Sequence, residues 1–389
     1  MNEIKPKKNN DSNDDMAKKE SQEKIAIFLP NLDAGGGQKV VINLLKGLVK
    51  RGIVPDLILT QLKGPFLAQV PEDVRIICLN SKMVIPSTIP LAFYLKREKP
   101  KILISHMSSA NVAVVMARFF SHVSTRLVLV EHTTLSANKH NFPTIAKLVP
   151  TLMRLSYPLA NTLIAVSKGT SRDLERELGL QQGLVKTIYN PVIDDDLILK
   201  MNEPLKHQWF LPNQPPVFLS VGRLTKAKDH KTLITAFANL RSQISARLLI
   251  LGEGELRSEL EALIKKLGVE SDVLMPGFVS NPYAYMSRAS AFVLSSQYEA
   301  LPTVLIEAMA CGCPVVSTDC PHGPAEILEN GKYGLLALVK DPILLADAMQ
   351  KILDNPTEQS LLFQRAKDFS TDCIVPQYLE TIGFKHYAI

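Results

Sequence analysis

The chain has 389 residues, 46% of them hydrophobic and 21% charged, with a formal net charge of +6. That length exceeds one ordinary core and implies two domains of roughly 150 to 200 residues each. The composition fits a globular, soluble protein and excludes a disulfide scaffold: the five cysteines (Cys78, Cys311, Cys313, Cys320 and Cys373) are odd in number, scattered, and point to a reducing compartment.

Residues 1–22 are polar, with Lys, Asn, Asp, Ser and Glu dominant, and are expected to form a disordered leader. No apolar segment follows the early lysines, so a secretory signal is excluded, and no uninterrupted apolar run reaches the roughly 18 residues of a membrane span. From residue 24 onward, short apolar runs alternate with segments of helical period. Strands are predicted at 24–30, 54–61, 74–80, 100–106, 126–132 and 161–167, with a helix over 36–52 that stops at Gly52. This alternation implies a parallel sheet with right-handed crossovers. The stretch 188–216 breaks the pattern with prolines and irregular polarity, so the domain junction is placed there, with a linker at 196–215. The alternation restarts with strands at 216–224, 246–254, 272–279, 291–298, 314–319 and 333–338. Helices at 229–243, 255–269, 281–289, 323–329 and one beginning at Pro302 lie between them. The expected fold class is α/β, two doubly wound Rossmann-like domains facing across a cleft, with ligands at the carboxyl ends of the strands.

Several constellations lie at those strand ends. Ala34-Gly35-Gly36-Gly37-Gln38-Lys39 is a glycine turn opening a helix, suited to close approach of a ligand; it lacks the G-x-G-x-x-G spacing of a dinucleotide site and equally suits an ordinary turn. Arg223 and Lys228, in "GRLTKAK", place two cations beyond a strand, as a diphosphate requires, although solvated surface cations look the same in sequence. "LGEGEL" (251–256) reads as a structural turn. Phe278 and Val279, in "PGFVSN", could present backbone groups to a base edge. Pro302 suits the first position of a helix, which makes Leu301 the N-cap; leucine cannot cap, so the amides of Thr303 and Val304 stay open for an anion. Glu299 precedes this helix and Glu307 lies within it, in an otherwise apolar run where an isolated carboxylate needs a partner. His106 and His132 each end a strand and can bond a substrate hydroxyl or phosphate, or act as structural caps.

Charge is also uneven. Residues 96–172 carry eleven Lys and Arg against Glu98 and Glu131 alone. Within them, 142–160 is apolar with spaced cations, which fits either an element on an anionic membrane surface, through Lys139, Lys147 and Arg154, or a core helix. No aromatic interleaving accompanies the basic residues, so no nucleic-acid partner is expected.

Taken together, the glycine loop, G-R-L-x-x-x-K (Arg223, Lys228) and E-x7-E (Glu299, Glu307) resemble the retaining glycosyltransferases of family 4, on the two-domain GT-B fold, from about Lys24 to about Leu338. "TDCPHGPAEIL" (318–328) is similar to a subgroup acting in bacterial polyprenyl-diphosphate-linked glycan assembly, such as lipopolysaccharide or capsule. The resemblance implies an acceptor-binding domain at 23–195, a nucleotide-sugar-binding domain at 216–370, and a segment 371–389 that crosses back to the first domain. It implies that Arg223 and Lys228 bind the donor diphosphate, that the Thr303 and Val304 amides bind its distal phosphate, and that Glu307 holds the ribose. It further implies that Glu299 contacts the donor sugar, Phe278 and Val279 flank the base, His132 lies near the transferred sugar, and Gly36 and Gly37 line the gap between donor and acceptor. Glu299, His132, Arg223 and Lys228 are the implied catalytic set. No metal and no cofactor are expected; the partners are a nucleotide sugar, with UDP as the expected nucleotide and an N-acetylhexosamine or hexose as the sugar, and a lipid-linked glycan at the inner face of the cell membrane. A nucleotide-sugar epimerase of the same fold and a non-catalytic membrane-associated protein are the alternatives.

Overall fold

A computed structural model describes residues 2–4, 24–138 and 149–384. The chain forms two compact units, Met1–Pro191 with Thr371–Ile389, and Val192–Ser370.

The first unit is built on β1 (Asn2–Ile4), β2 (Ile25–Leu29), β3 (Asp56–Leu59), β4 (Ile76–Cys78), β5 (Ile102–His106), β6 (Arg126–Glu131), β7 (Thr162–Ala165) and β8 (Val185–Thr187). Their order in the sheet is β1-β4-β3-β2-β5-β6-β7-β8. All pairings are parallel except β1 with β4. Every residue of β2, β3, β5 and β7 is buried, because helices cover both faces of a parallel sheet and each strand must be apolar on both sides. Phe28, Leu103, Leu127 and Leu129 pack with Tyr94, Val114 and Met153 from the helices Thr88–Glu98, Ser108–Ser121 and Val149–Ser156. The leader expectation fails at Asn2–Ile4, whose backbone adds a strand to the otherwise open edge of β4; residues 5–22 lie outside the described residues. The strand at β8 carried too short an apolar run to be recognised.

The second unit holds β9 (Val217–Val221), β10 (Arg247–Leu251), β11 (Val273–Gly277), β12 (Ala291–Leu294), β13 (Val315–Thr318) and β14 (Leu335–Ala337). All are parallel in the order β11-β10-β9-β12-β13-β14. The order reverses between β9 and β12, where Ala291 faces Phe218 and Phe292 faces Leu219. Its core joins Phe218, Leu248, Ile250 and Val293 to Phe237, Leu345 and Met349; burying each such side chain contributes about 2 kcal/mol.

One segment sits differently from expectation. Residues 196–215 are part of the second unit rather than a linker. The helix Asp195–Met201, capped by Asp194, packs on the helix Tyr283–Met286. Asn281 Nδ2 and Ser287 Oγ donate to the carbonyls of Lys200 and Met201 at 2.9 and 2.8 Å, and the Arg247 guanidinium lies 5.1 Å over the buried Trp209 ring. A proline-rich composition hid these anchors. The helix Thr371–Thr381 belongs to the first unit because the helix Gly36–Val49 has no side chain at Gly47: a Cβ there would fall 2.6 Å from Val375 Cγ2. Arg51 Nη2 reaches Asp372 Oδ1 at 3.2 Å beside this contact.

At the amino ends of β2 and β3 a charged cluster holds the first sheet. Arg75 bonds Asp56 through Nε and Nη2 (2.9 and 2.6 Å) and Glu98 at 2.8 Å; Tyr94 Oη donates to Asp56 at 2.6 Å, and Lys24 pairs with both acids. Burial pushes the Glu98 carboxyl up, but the hydrogen bonds from Lys24 and Arg75 outweigh it and hold the pKa at about 2 against an ordinary 4.5. The unfolded chain therefore binds a proton on Glu98 that the folded chain refuses, so this stabilisation is complete above pH 4.5 and lost as pH falls toward 2. We predict that Glu98→Gln flattens the acid limb of a stability–pH curve between those values; an unchanged limb would contradict the pairing. In the second sheet, Gly252 has φ +146° and a Cβ there would lie 2.0 Å from the Gly222 carbonyl oxygen. Gly252→Ala should cost more than about 2 kcal/mol in denaturant unfolding, whereas a loss within about 0.5 kcal/mol, the range of an ordinary surface substitution, would show that the loops are not locked together.

Candidate active site

The second unit gathers its polar residues at the carboxyl ends of β9 and β12. The segment after β9 is held to that after β10: Gly222 N–H donates to Leu251 O at 3.0 Å, and Leu224 N–H donates to Glu253 O at 2.9 Å. The two glycines of "LGEGEL" permit this approach, so that turn is structural. After a single helical turn at Lys226–Lys228, the chain also bonds across to the β12 side. Gln297 N–H donates to Ala227 O at 2.8 Å, and Ser295 Oγ donates to Lys228 O at 2.8 Å. These contacts deliver Lys228 Nζ to Glu299 Oε1 at 2.5 Å. The same oxygen accepts Ser296 Oγ at 2.7 Å, and Ser296 O accepts Thr318 Oγ1 at 2.6 Å, tying in β13. Arg223, which leaves the same strand end, is exposed and pairs with no carboxylate among the described residues. His230, buried behind Lys228, is pulled down to about 4 by burial and by the lysine charge.

The helix that follows spans Thr303–Ala310. Pro302, not Leu301, is its N-cap, because ψ of 96° keeps the proline outside the helix. The consequence for the amides is the one expected: there is no side-chain cap, Leu305 N–H turns back to Pro302 O at 3.1 Å, and the Thr303 and Val304 N–H groups meet no acceptor among the described residues. Glu307 is buried. Its carboxylate accepts the Tyr283 hydroxyl, whose pKa burial and Glu307 drive far above the ordinary phenol value. The need for a partner, inferred from the apolar run, is thus met from within the unit, and Tyr283 was not foreseen. Phe278 is 70% exposed just past β11, with Val279 half-buried beside it. Cys311 and Cys313 are buried thiols with pKa values raised chiefly by burial. Among the described residues no group of three or more His, Cys, Asp or Glu could hold a metal ion.

The first unit has a second gathering, at the carboxyl ends of β2, β5 and β6. The helix Gly36–Val49 starts with Gly35 as a cap that offers no side chain. A Cβ on Gly37 would lie 3.7 Å from His132 Cγ and 3.9 Å from its Nδ1, so Gly37 and His132 share one spot. His132 Nε2 meets His106 Nδ1 at 2.9 Å. Burial draws the His132 pKa down to about 4 and that of His106 well below 6.5, so both rings are neutral at physiological pH.

Beneath them is a residue that sequence reasoning counted only as a charge. Glu131 is fully buried and accepts Ser108 Oγ (3.1 Å), the His132 and Thr133 N–H groups (3.1 and 3.2 Å), Thr133 Oγ1 (2.7 Å) and Tyr157 Oη (2.9 Å). Burial pushes its carboxyl up while these donors oppose it. Its position beside His132, after the apolar run Leu127 to Val130, was the available signal.

Of the expected membrane element, Lys139, Lys147 and residues 142–148 lie outside the described residues. The helix Val149–Ser156 buries Met153 in the core, and Arg154 Nη2 donates to Glu177 O at 2.9 Å. Leu152, Leu155 and Leu159 are exposed. No helix among the described residues is long and apolar enough to cross a membrane.

Comparison with known proteins bears on the whole chain. Residues 34–196 match the family described as Glycosyltransferase Family 4, and residues 201–369 match Glycosyl transferases group 1. The N-acetylgalactosamine-N,N'-diacetylbacillosaminyl-diphospho-undecaprenol 4-alpha-N-acetylgalactosaminyltransferase of Campylobacter jejuni is 33% identical over 360 residues, covering 89% of this chain and 94% of the relative. A second Campylobacter jejuni N-acetyl-D-galactosaminyltransferase, acting on a GalNAc-containing PP-undecaprenol, is 27% identical over 92% of this chain and 98% of its own. Among solved structures, Anabaena HepE in complex with UDP and glucose superposes with a TM-score of 0.75 at 22% identity, over 93% of this chain and 100% of that one. The last likeness shows the fold, the α/β GT-B class of two Rossmann-like units. The sequence relationship shows the family: the chain is a glycosyltransferase and belongs to glycosyltransferase family 4.

Proposed function

We propose that the chain transfers an N-acetylhexosamine or hexose from a UDP-linked donor to a lipid-linked saccharide, with retention of anomeric configuration and without a metal ion. The observation that carries this reading is the joining of Lys228 to Glu299 at the carboxyl ends of β9 and β12, four residues before a helix start with open amides. The relatives named for undecaprenol-linked glycans support the acceptor class.

In this reading Lys228, Arg223 and the Thr303 and Val304 amides receive the donor diphosphate. They stabilise charge as the bond between the anomeric carbon and the diphosphate oxygen breaks. The acceptor hydroxyl bonds to that carbon from the face the diphosphate leaves, and its proton passes to the departing oxygen. Glu299 orients Lys228 and contacts the donor sugar. Its Oε1 already accepts two donors, which supports this role over that of a covalent nucleophile. Glu307, fixed by Tyr283, holds the ribose diol; Phe278 and Val279 flank the base; Gly36, Gly37 and His132 of the first unit meet the transferred sugar and the acceptor. Exposed Leu152, Leu155 and Leu159 near Arg154 support contact with an anionic membrane surface, on the inner face of the cell membrane.

Arg223→Ala and Lys228→Ala are each expected to lower kcat/KM by about 100- to 1000-fold, the loss typical of a donor that stabilises developing charge. Near-normal turnover in both would remove the diphosphate assignment. Proton NMR of the product should show the donor's anomeric configuration, and excess chelator should leave the rate unchanged; an inverted product or a chelator-sensitive rate would refute that part. Release of a free epimer without acceptor would favour the epimerase reading. Binding to anionic vesicles should weaken with salt and on neutralising Lys139, Lys147 and Arg154, and unaltered binding would exclude this surface.

A further inference from the structure

His106 is fully buried, reaches the expected site only through His132, and has no part in the reaction as described so far. We propose that it is a positioning residue: through its contact with His132 it fixes that ring's orientation and tautomer, so that His132 presents an Nδ1–H donor over Gly37 to an oxygen of the sugar. The proposal rests on the reading of His132 as a substrate-facing group.

A neutral imidazole carries one N–H and one bare nitrogen. The 2.9 Å contact between His106 Nδ1 and His132 Nε2 therefore holds a single proton, in one of two senses. If His132 donates, His106 must carry its own hydrogen on Nε2, a nitrogen that is buried and has no partner among the described residues. A buried donor left unpaired is the costlier arrangement, and orphaned N–H groups are rarer than underused acceptors. If His106 donates, only a lone pair is left at Nε2. His132 then accepts at Nε2 and must bear its hydrogen on Nδ1.

That nitrogen lies 3.9 Å from the place a Cβ on Gly37 would take, which Met107 Cε approaches to 3.4 Å, at the uncapped start of the helix Gly36–Val49. The imidazole and the first helical amides then offer donors to the same oxygen-rich ligand. The ring is held from behind as well, since the His132 N–H is fixed on Glu131 Oε1 at 3.1 Å; Glu131 is the charged group beside the pair, and Met107 is its apolar neighbour. Depressed pKa values for both rings agree with a neutral pair. In this arrangement His132 donates a hydrogen bond and does not act as a base.

The test uses the full chain. Nitrogen-15 NMR of the imidazoles should show His132 protonated on Nδ1 and His106 on Nδ1, with and without UDP. His106→Asn, which keeps an N–H near the Nδ1 position, should hold kcat within about threefold, whereas His106→Leu should lower kcat about 10- to 50-fold with KM for the nucleotide sugar changed less than twofold. A His132 ring protonated on Nε2 overturns the proposal, whether or not His106→Leu folds. With His132→Ala impaired, full activity in His106→Leu overturns the positioning role alone. Full activity in His132→Ala overturns the substrate-facing reading on which it stands.

Discussion

Lys228 and Glu299 are 71 residues apart, yet their side chains meet because β9 and β12 lie next to each other where the order of the sheet reverses. At that point the chain leaves the two strands in opposite senses, and the segments beyond them are free to bend toward one another. Here they are also laced together, through Gln297 to Ala227, Ser295 to Lys228 and Ser296 to Glu299. The close backbone approach at Gly222 and Gly252 fixes the other flank. A cation is thereby held beside a helix whose first amides have no cap. The proposed diphosphate site rests on these two positive features, the lysine and the uncapped helix start.

The first unit repeats the principle. Its sheet reverses between β2 and β5, and at the same ends of β2, β5 and β6 lie the Gly36 helix start and the His106–His132 pair. Glu131 anchors this group from within the core. The amino ends carry a different kind of chemistry. There Asp56, Arg75, Tyr94, Glu98 and Lys24 satisfy one another, and their arrangement secures the sheet rather than offering a ligand site. The first unit thus holds this charged cluster and the His106–His132 pair at opposite strand ends.

Much of this was legible in the sequence because parallel strands covered on both faces are continuous apolar runs, and because a polar residue ending such a run marks a strand's carboxyl end. His106 and His132 were found that way; Arg223 and Lys228 were read as a cation pair beyond a strand, and Glu299 from the helix start at Pro302. What stayed hidden depends on tertiary contact. The Pro302 cap was misplaced by one residue because only ψ distinguishes the two positions. The anchoring of 196–215 required Asn281, Ser287 and Arg247, none of them near in sequence. Tyr283 as the partner of Glu307, and the five donors around Glu131, follow from packing that no periodicity records.

The central claim is that the helix start at Thr303 and the Lys228–Glu299 pair together bind a diphosphate. A crystal structure of the chain with UDP tests it most directly. The account predicts phosphate oxygens within hydrogen-bonding distance of the Thr303 and Val304 amides and of Lys228 Nζ. A diphosphate bound elsewhere, with those amides still facing solvent, would contradict it.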